Sequence, residues 1–219
     1  MKNLLGRIET CNPVLGCNIG CPYCYASRLN TRFHFTPDFR VPTIMPNAIK
    51  KIHSIRPKTL FMTSMSDLSG WPINWRNEVF SEIERYPRNS YMFLTKRPDL
   101  VEDLDCRSMK NVWIGVTITS KADISRIQKM KQNIKSSGYW LCIEPLHGDL
   151  GAINLSGIDF IILGAETGNR AGKIIPKAEW IFSIVAQADK YKVPVLMKES
   201  LLPIIGEKNF REDWIPCLV

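Results

Sequence analysis

The amino-acid sequence predicts an α/β fold, a partial βα barrel of about six parallel strands. Short apolar runs with strand character recur along the chain, and segments with the apolar spacing of helices separate them. Polar residues follow these runs at successive strand ends, which is typical of barrels that carry their chemistry at the carboxyl edge of the sheet. The 219 residues suffice for one domain with a substantial core, and we expect that domain to span 1–219.

The first part of the chain contains three closely spaced cysteines. We place this cysteine loop at 11–28 and expect a helix to begin at Tyr25. Residues 30–47 are rich in aromatic residues and proline, which predicts an irregular insertion.

Strand and helix patterns alternate over the rest of the chain. After helical spacing at 47–55, the predicted strands cover 59–65, 90–95, 111–117, 139–144, 159–163 and 193–197. The predicted helices between them cover 75–86, 98–104, 121–135 and 176–191. Such alternation indicates parallel βα units.

Composition favours a cytoplasmic protein. The chain has no apolar run of about 18 residues, so no membrane span is expected, and its start lacks the apolar stretch of a signal peptide. Seven cysteines are an odd number, and three lie together, which argues against a secreted disulfide framework. A reducing cytoplasm is therefore the predicted setting.

The formal net charge of +8 raises the expectation of a polyanionic partner. The basic residues are scattered, so the alternative is a solvated basic surface that binds no ligand.

Cys17, Cys21 and Cys24 have the spacing C-x3-C-x2-C. Thiolates are natural ligands for soft or borderline metals. A closed zinc site takes four protein ligands, as does a simple electron-carrying 4Fe–4S cluster. Three thiolates on a four-iron cube would leave one iron open for a reactive ligand. Zinc remains an alternative, for which His34 is the only plausible fourth ligand.

Polar groups just behind the predicted strands indicate a shared, lined pocket. The candidates are Ser64, Ser66, Asp67, Lys96, Arg97, Thr117, Glu144, Gly164, Glu166 and Lys198. Cys142 lies two residues before Glu144, so strand alternation directs both side chains to the same face. A buried cysteine is also common as a small core residue.

The cysteine spacing resembles the signature of the radical S-adenosylmethionine (SAM) superfamily, with Tyr23 as the aromatic residue before the third cysteine. More of the chain is similar to a phage- and prophage-associated family of uncharacterised radical SAM-like proteins. The similar segments are 12–13, 24–26, 62–67, 94–98, 111–116, 143–146, 163–168 and 195–198. They span most of the chain, and the resemblance implies a radical SAM barrel with a 4Fe–4S cluster.

The resemblance implies that Cys17, Cys21 and Cys24 bind the cluster, whose open iron holds the amino and carboxylate groups of SAM. One electron, from a donor such as flavodoxin or ferredoxin, then splits SAM into methionine and a 5′-deoxyadenosyl radical. This radical abstracts hydrogen from a substrate that the sequence does not specify. The basic charge favours a nucleotide, nucleic acid or other phosphate-bearing molecule.

The strand-end residues are then candidates for binding SAM or substrate. Tyr23 would pack near the adenine, Ser66 or Asp67 would hold the amino group, and Gly164 would let the backbone approach the adenosine. Ser64 and Thr117 are further cofactor-binding candidates. Glu144 and Glu166 would contact the ribose or the substrate. The SAM carboxylate or an anionic substrate would be bound by Lys96, Arg97 and Lys198.

A more distant similarity links the chain to spore photoproduct lyase, which repairs a thymine dimer in DNA. By that analogy, Cys142 would donate a hydrogen atom near the radical. The alternative function is a non-catalytic nucleic-acid-binding module in which zinc braces the cysteine loop.

Overall fold

The computed structural model describes residues 3–54 and 56–219. Its strands are β1 (Ile8–Thr10), β2 (Val14–Leu15), β3 (Thr43–Ile44), β4 (Thr59–Phe61), β5 (Ser90–Thr95), β6 (Leu104–Asp105), β7 (Val112–Thr117), β8 (Ile134–Lys135), β9 (Tyr139–Ile143), β10 (Phe160–Leu163) and β11 (Val195–Met197). Seven of them form one parallel sheet, in the order β1-β4-β5-β7-β9-β10-β11, that curls into a half-barrel. Two separate pairs, β2 with β3 and β6 with β8, lie outside this sheet.

The α-helices in the described residues are α1 (Tyr25–Phe33), α2 (Pro46–Ile49), α3 (Ile73–Arg85), α4 (Ser125–Asn133), α5 (Ala178–Tyr191) and α6 (Leu202–Ile205). The longer ones, α3 and α5, bury an apolar stripe against the sheet. Ile83 of α3 and Ile184 of α5 belong to the same core as Phe93, Ile114 and Leu163 of the strands. None of the described helices has the length and apolarity needed to cross a membrane.

The other face of the sheet is concave and has its own apolar core. Because side chains alternate along a strand, Trp140 and Cys142 point to this side while Leu141 and Ile143 face the helices. Gly115 is the register partner of Trp140. A Cβ on Gly115 would stand 2.4 Å from the indole, so the missing side chain makes room for the ring.

The predicted partial barrel is confirmed as a parallel half-barrel, with β1 as a seventh strand. Strand 90–95 is observed with the predicted bounds. The strand predicted at 59–65 ends at Phe61, because the chain after it turns to hold the cysteine loop.

Two helix predictions were too long. The segment at 98–104 contains a single 3₁₀ turn, Pro98–Leu100. The segment at 121–135 begins with the 3₁₀ turn Lys121–Asp123, which a capping box on Ser120 precedes, continues as α4 and ends in β8.

The region 30–47 is less irregular than predicted, because it contains the end of α1, strand β3 and the start of α2. The predicted helix at 47–55 is observed as α2 followed by the 3₁₀ turn Lys50–Ile52, and residue 55 lies outside the described residues. The single-domain assignment over 1–219 stays a prediction.

Candidate functional site

The cysteine loop is anchored to the segment that follows β4, at the carboxyl edge of the sheet. The Asn12 side-chain oxygen accepts hydrogen bonds from Ser64 Oγ at 2.9 Å and from the Met65 N–H at 3.1 Å. Gly16 donates its N–H to the Met65 carbonyl at 3.0 Å. Its φ of +99° and the Val41 carbonyl, 2.7 Å from where a Cβ would stand, leave room only for glycine. The contacts of Asn12 and Gly16 therefore fix the start of the cysteine loop against the segment after β4.

The three cysteines of the motif differ from the other four in their exposure. All seven are free thiols, and Cys17, Cys21 and Cys24 are half-buried whereas the others are buried. Partial burial raises the pKa of Cys17 to about 11. Cys24 Sγ accepts a hydrogen bond from Ser27 N–H at 3.3 Å and so caps the N-terminus of α1, where helical N–H groups favour a negative ligand atom.

The donor chemistry of this loop fits an iron–sulfur group. Three unpaired, partly accessible thiols on one short loop are the ligands that such clusters take from a protein. Within residues 3–54 and 56–219, no group of three or more His, Cys, Asp or Glu side chains is gathered closely enough to hold a metal ion. Binding would therefore have to draw the three sulfurs closer together.

His34 does not complete a zinc site with these cysteines. It caps the C-terminus of α1, whereas Cys24 caps the N-terminus. At 1.5 Å per residue, the helix separates the two residues by roughly 15 Å. Both side chains cannot bind one ion in this arrangement.

Tyr23 joins the cysteine loop to a buried ionic cluster. Its ring packs edge-on against His147, with 5.1 Å between the ring centroids. His147 Nε2 lies 3.2 Å from Glu166 Oε2, and Arg170 donates two hydrogen bonds to the Glu166 carboxylate, at 2.6 and 2.9 Å. The hydrogen bonds from Arg170 lower the pKa of Glu166, and the contact with His147 lowers it further. Burial raises the pKa of the Tyr23 phenol.

Glu144 and Lys198 form a second ion pair on the concave side, with Nζ 2.8 Å from Oε1. Glu144 follows β9 and Lys198 follows β11, so the pair spans the intervening β10. Gly164 lies between them, and a Cβ there would stand 3.1 Å from Lys198 Cδ and 3.3 Å from Glu144 Cδ. Burial by itself lowers the pKa of Lys198, but the Glu144 carboxylate outweighs it and the pKa is raised.

Cys142 lies below this pair on the same face. Burial raises the pKa of its thiol to about 12, and Glu144, Lys198 and Lys96 all act on it electrostatically. Thr117 is its register partner on β7 and is buried. The Thr117 hydroxyl has no hydrogen-bond partner among the described residues. The concave carboxyl edge therefore combines a thiol, a free hydroxyl and two lysines.

Asp67 is already occupied by protein donors. Its carboxylate accepts hydrogen bonds from Ser69 N–H and Oγ, from Thr95 Oγ1 at 2.6 Å and from Lys96 N–H at 2.8 Å. These bonds fix the backbone that carries Lys96. Ser66 Oγ accepts from the Trp71 indole at 3.0 Å.

The structure thus brings together Cys142, Thr117, Glu144, Gly164 and Lys198, and it connects Tyr23 to Glu166 through His147. It leaves Arg97 apart, since that side chain is exposed and pairs with Asp99 at 3.0 Å.

Sequence reasoning missed Asn12, Tyr25, His147 and Arg170 as members of the site. Arg170 follows Glu166 at i+4, a spacing that signals an ion pair. Tyr25, whose hydroxyl donates to the Ser64 carbonyl at 2.5 Å, carries no such signal, nor does His147.

Comparison with known proteins gives one family assignment. No curated protein and no solved structure matches the chain. A family model described as "Protein of unknown function (DUF5131)" matches residues 7–200, which include the cysteine loop, both ion pairs and all strands of the half-barrel. The chain therefore belongs to the DUF5131 family.

Proposed function

We propose that this protein is a radical SAM enzyme that acts on a phosphate-bearing substrate. The observation that carries the proposal is the division of its cysteines: of the seven, the three with C-x3-C-x2-C spacing are partly accessible, and their loop is bridged to Ser66 at the carboxyl edge of the half-barrel. When bound, a 4Fe–4S cluster with SAM would supply reductive cleavage of the sulfonium and a 5′-deoxyadenosyl radical.

The chain's own residues would bind and orient the reactants. Cys17, Cys21 and Cys24 would hold three irons as thiolates. The Thr117 hydroxyl is buried without a hydrogen-bond partner among the described residues, so a ligand that reaches the concave face would supply the partner that it lacks. Lys198 and Glu144 would present opposite charges to the zwitterionic end of SAM or to the substrate.

The concave core supports this role by excluding water from the face of the sheet beneath the strand-end polar groups. Cys142, Ile162 and Leu196 are buried there with the rings of Trp140 and Phe160. A dry, apolar floor strengthens the electrostatic contacts above it and protects reactive species from side reactions. Asp67 is a positioning residue, because it holds the backbone of Lys96.

The other parts of the proposal follow from the chemistry. The enzyme would act in a reducing cytoplasm, because such clusters are sensitive to oxygen. It would receive its electron from a donor such as flavodoxin or ferredoxin. The zinc-braced module is the competing function, and the separation of His34 from Cys24 along α1 argues against its most plausible ligand set.

Anaerobic reconstitution with iron and sulfide tests the proposal. We expect uptake of about four irons per chain with broad thiolate-to-iron absorption, and formation of 5′-deoxyadenosine from SAM after reduction with dithionite. Alanine at Cys17, Cys21 or Cys24 should abolish both. Alanine at Cys106, a buried cysteine outside the motif, should preserve them.

One colourless zinc per chain, with SAM left intact, would overturn the proposal. So would a loaded cluster that never yields 5′-deoxyadenosine under strong reduction.

A further inference from the structure

Helix α1, which follows the third cysteine, turns most of its side chains to solvent. Of its nine residues only Ala26 and Asn30 are buried. The exposed residues on and just after the helix include rings and guanidinium groups side by side. We call Tyr25, Arg28, Leu29, Arg32, Phe33 and Phe35 the α1 surface.

The three aromatic rings of this surface are about half exposed. Phe33 is 52% exposed and Phe35 46% exposed, and Tyr25 is 50% exposed. The rings of Phe33 and Phe35 stack on each other with centroids 5.6 Å apart, and the Arg32 guanidinium lies 5.1 Å from the Phe33 centroid. Exposed rings beside guanidinium groups form a platform on which flat groups can stack.

The chain segment that contains this surface is strongly positive in net charge. Between Thr10 and Ser66 the chain has seven lysines and arginines and a single acidic residue, Asp38. This segment therefore carries six of the eight net positive charges of the chain. Asp38 pairs with Arg40, and within the described residues neither Arg28 nor Arg32 forms an ion pair.

The surface extends to the carboxyl edge of the sheet. A Cβ on Gly168, in the loop after β10, would stand 3.9 Å from the Arg28 guanidinium. The same loop contributes Lys173, whose Nζ donates to the Gly168 carbonyl at 2.9 Å. At the other end of the surface, Tyr25 donates to Ser64 beside the cysteine loop.

We propose that the α1 surface binds single-stranded nucleic acid, with its rings stacked on bases and its guanidinium groups on phosphates. Stacking requires unpaired bases, because the π-faces of a duplex are covered by neighbouring base pairs. The excess of seven basic residues over one acidic residue in this segment suits a backbone that carries one negative charge per phosphate. The inference rests on the proposed function only in making the bound strand the substrate, which α1 would lead towards the carboxyl edge of the sheet.

Fluorescence anisotropy of the full chain with a labelled strand of about 12 thymidine nucleotides tests this inference. We expect the single strand to bind more tightly than a duplex of equal length. The double variant F33A/F35A should weaken binding by about tenfold or more, because both rings lose the stacking contacts with bases. The matched control F182A removes an exposed ring from α5 and should bind as the wild type does.

Variants that remove positive charges distinguish the contribution of phosphate contacts to binding from that of stacking. R28Q/R32Q should weaken binding and lower the slope of log affinity against log salt by about 0.7 for each lost contact. The control R88Q/K110Q removes two exposed charges that precede β5 and β7, at the opposite edge of the sheet, and should leave that slope nearly unchanged.

Equal binding of duplex and single strand, or equal losses in the α1 and control variants, would overturn the inference. So would a dimer in sedimentation that F33A/F35A dissociates without changing strand binding, because a second copy would then cover the surface. The outcomes also separate the two proposals. Strand binding without SAM cleavage contradicts only the enzyme, and SAM cleavage without strand binding contradicts only the docking surface.

Discussion

Glu144 and Lys198 bind each other across a strand that contributes no side chain between them. Their 2.8 Å contact passes over Gly164 of the β10 strand end. The ion pair therefore depends on the missing side chain of Gly164, because a larger residue there would crowd both partners. It also places opposite charges directly above Cys142 on the concave face.

Replacing Gly164 with alanine should disturb this pair. The new methyl group would stand 3.1 Å from Lys198 Cδ and 3.3 Å from Glu144 Cδ, closer than ordinary contacts. We expect a loss of about 1 kcal/mol or more in the free energy of unfolding, measured by urea denaturation. Gly148→Ala is the matched control, since no atom of the described residues lies within 4 Å of its Cβ position. Equal stability of the two variants would contradict the contact.

Thr117→Val should lower activity with the cofactor without lowering the free energy of unfolding. Within residues 3–54 and 56–219 the buried Thr117 hydroxyl has no partner, and its removal should leave the free energy of unfolding unchanged or raise it by about 1 kcal/mol. If that hydroxyl contacts the cofactor, 5′-deoxyadenosine formation should fall in the same variant and recover in Thr117→Ser. A variant that is clearly less stable than the wild type would show that the hydroxyl has a partner in the protein.

Glu166→Gln should weaken the dependence of stability on acid pH. Arg170 and His147 lower the pKa of Glu166 in the folded chain. The carboxylate therefore contributes stability above its unfolded pKa of about 4.3, and that contribution is lost as the pH falls through the lower folded pKa. The thermal midpoint of the variant should change less than that of the wild type between neutral and acid pH. Glu78→Gln, an exposed change on α3, should follow the wild type.

Asn12→Ala should loosen the cysteine loop. The variant loses the acceptor for Ser64 Oγ and the Met65 N–H, at a cost of about 1–2 kcal/mol. Hydrogen exchange should accelerate at Met65 and in the loop at 11–28, and iron retention should fall on reconstitution. Asn47→Ala, at an exposed position in α2, is the control. Unchanged exchange at Met65 would show that the side-chain contact does not hold the loop.

The sequence was most informative where the signal is local. Strand alternation correctly placed Cys142 and Glu144 on one face, because the period of two is a property of the backbone. The cysteine motif and the polar strand ends could likewise be recognised within a few residues of sequence.

Partnerships between distant residues could not be predicted. Glu144 and Lys198 are 54 residues apart, and their contact depends on the register of three strands. The full set of donors around Asp67 comes from a loop and a neighbouring strand, so its carboxylate looked free in the sequence. His147 meets Tyr23 only after the cysteine loop has folded back over the sheet edge.

The order of the large sheet has a consequence for how the chain is made. From β1 to β11 each strand of the half-barrel pairs with the one that precedes it in that sheet along the chain. A growing chain that emerges from its N-terminal end can therefore add each strand to an edge that already exists, as domains do when they fold during synthesis. The segment with the three cysteines and its scaffold at β4 are synthesised before the strands that carry Glu144 and Lys198.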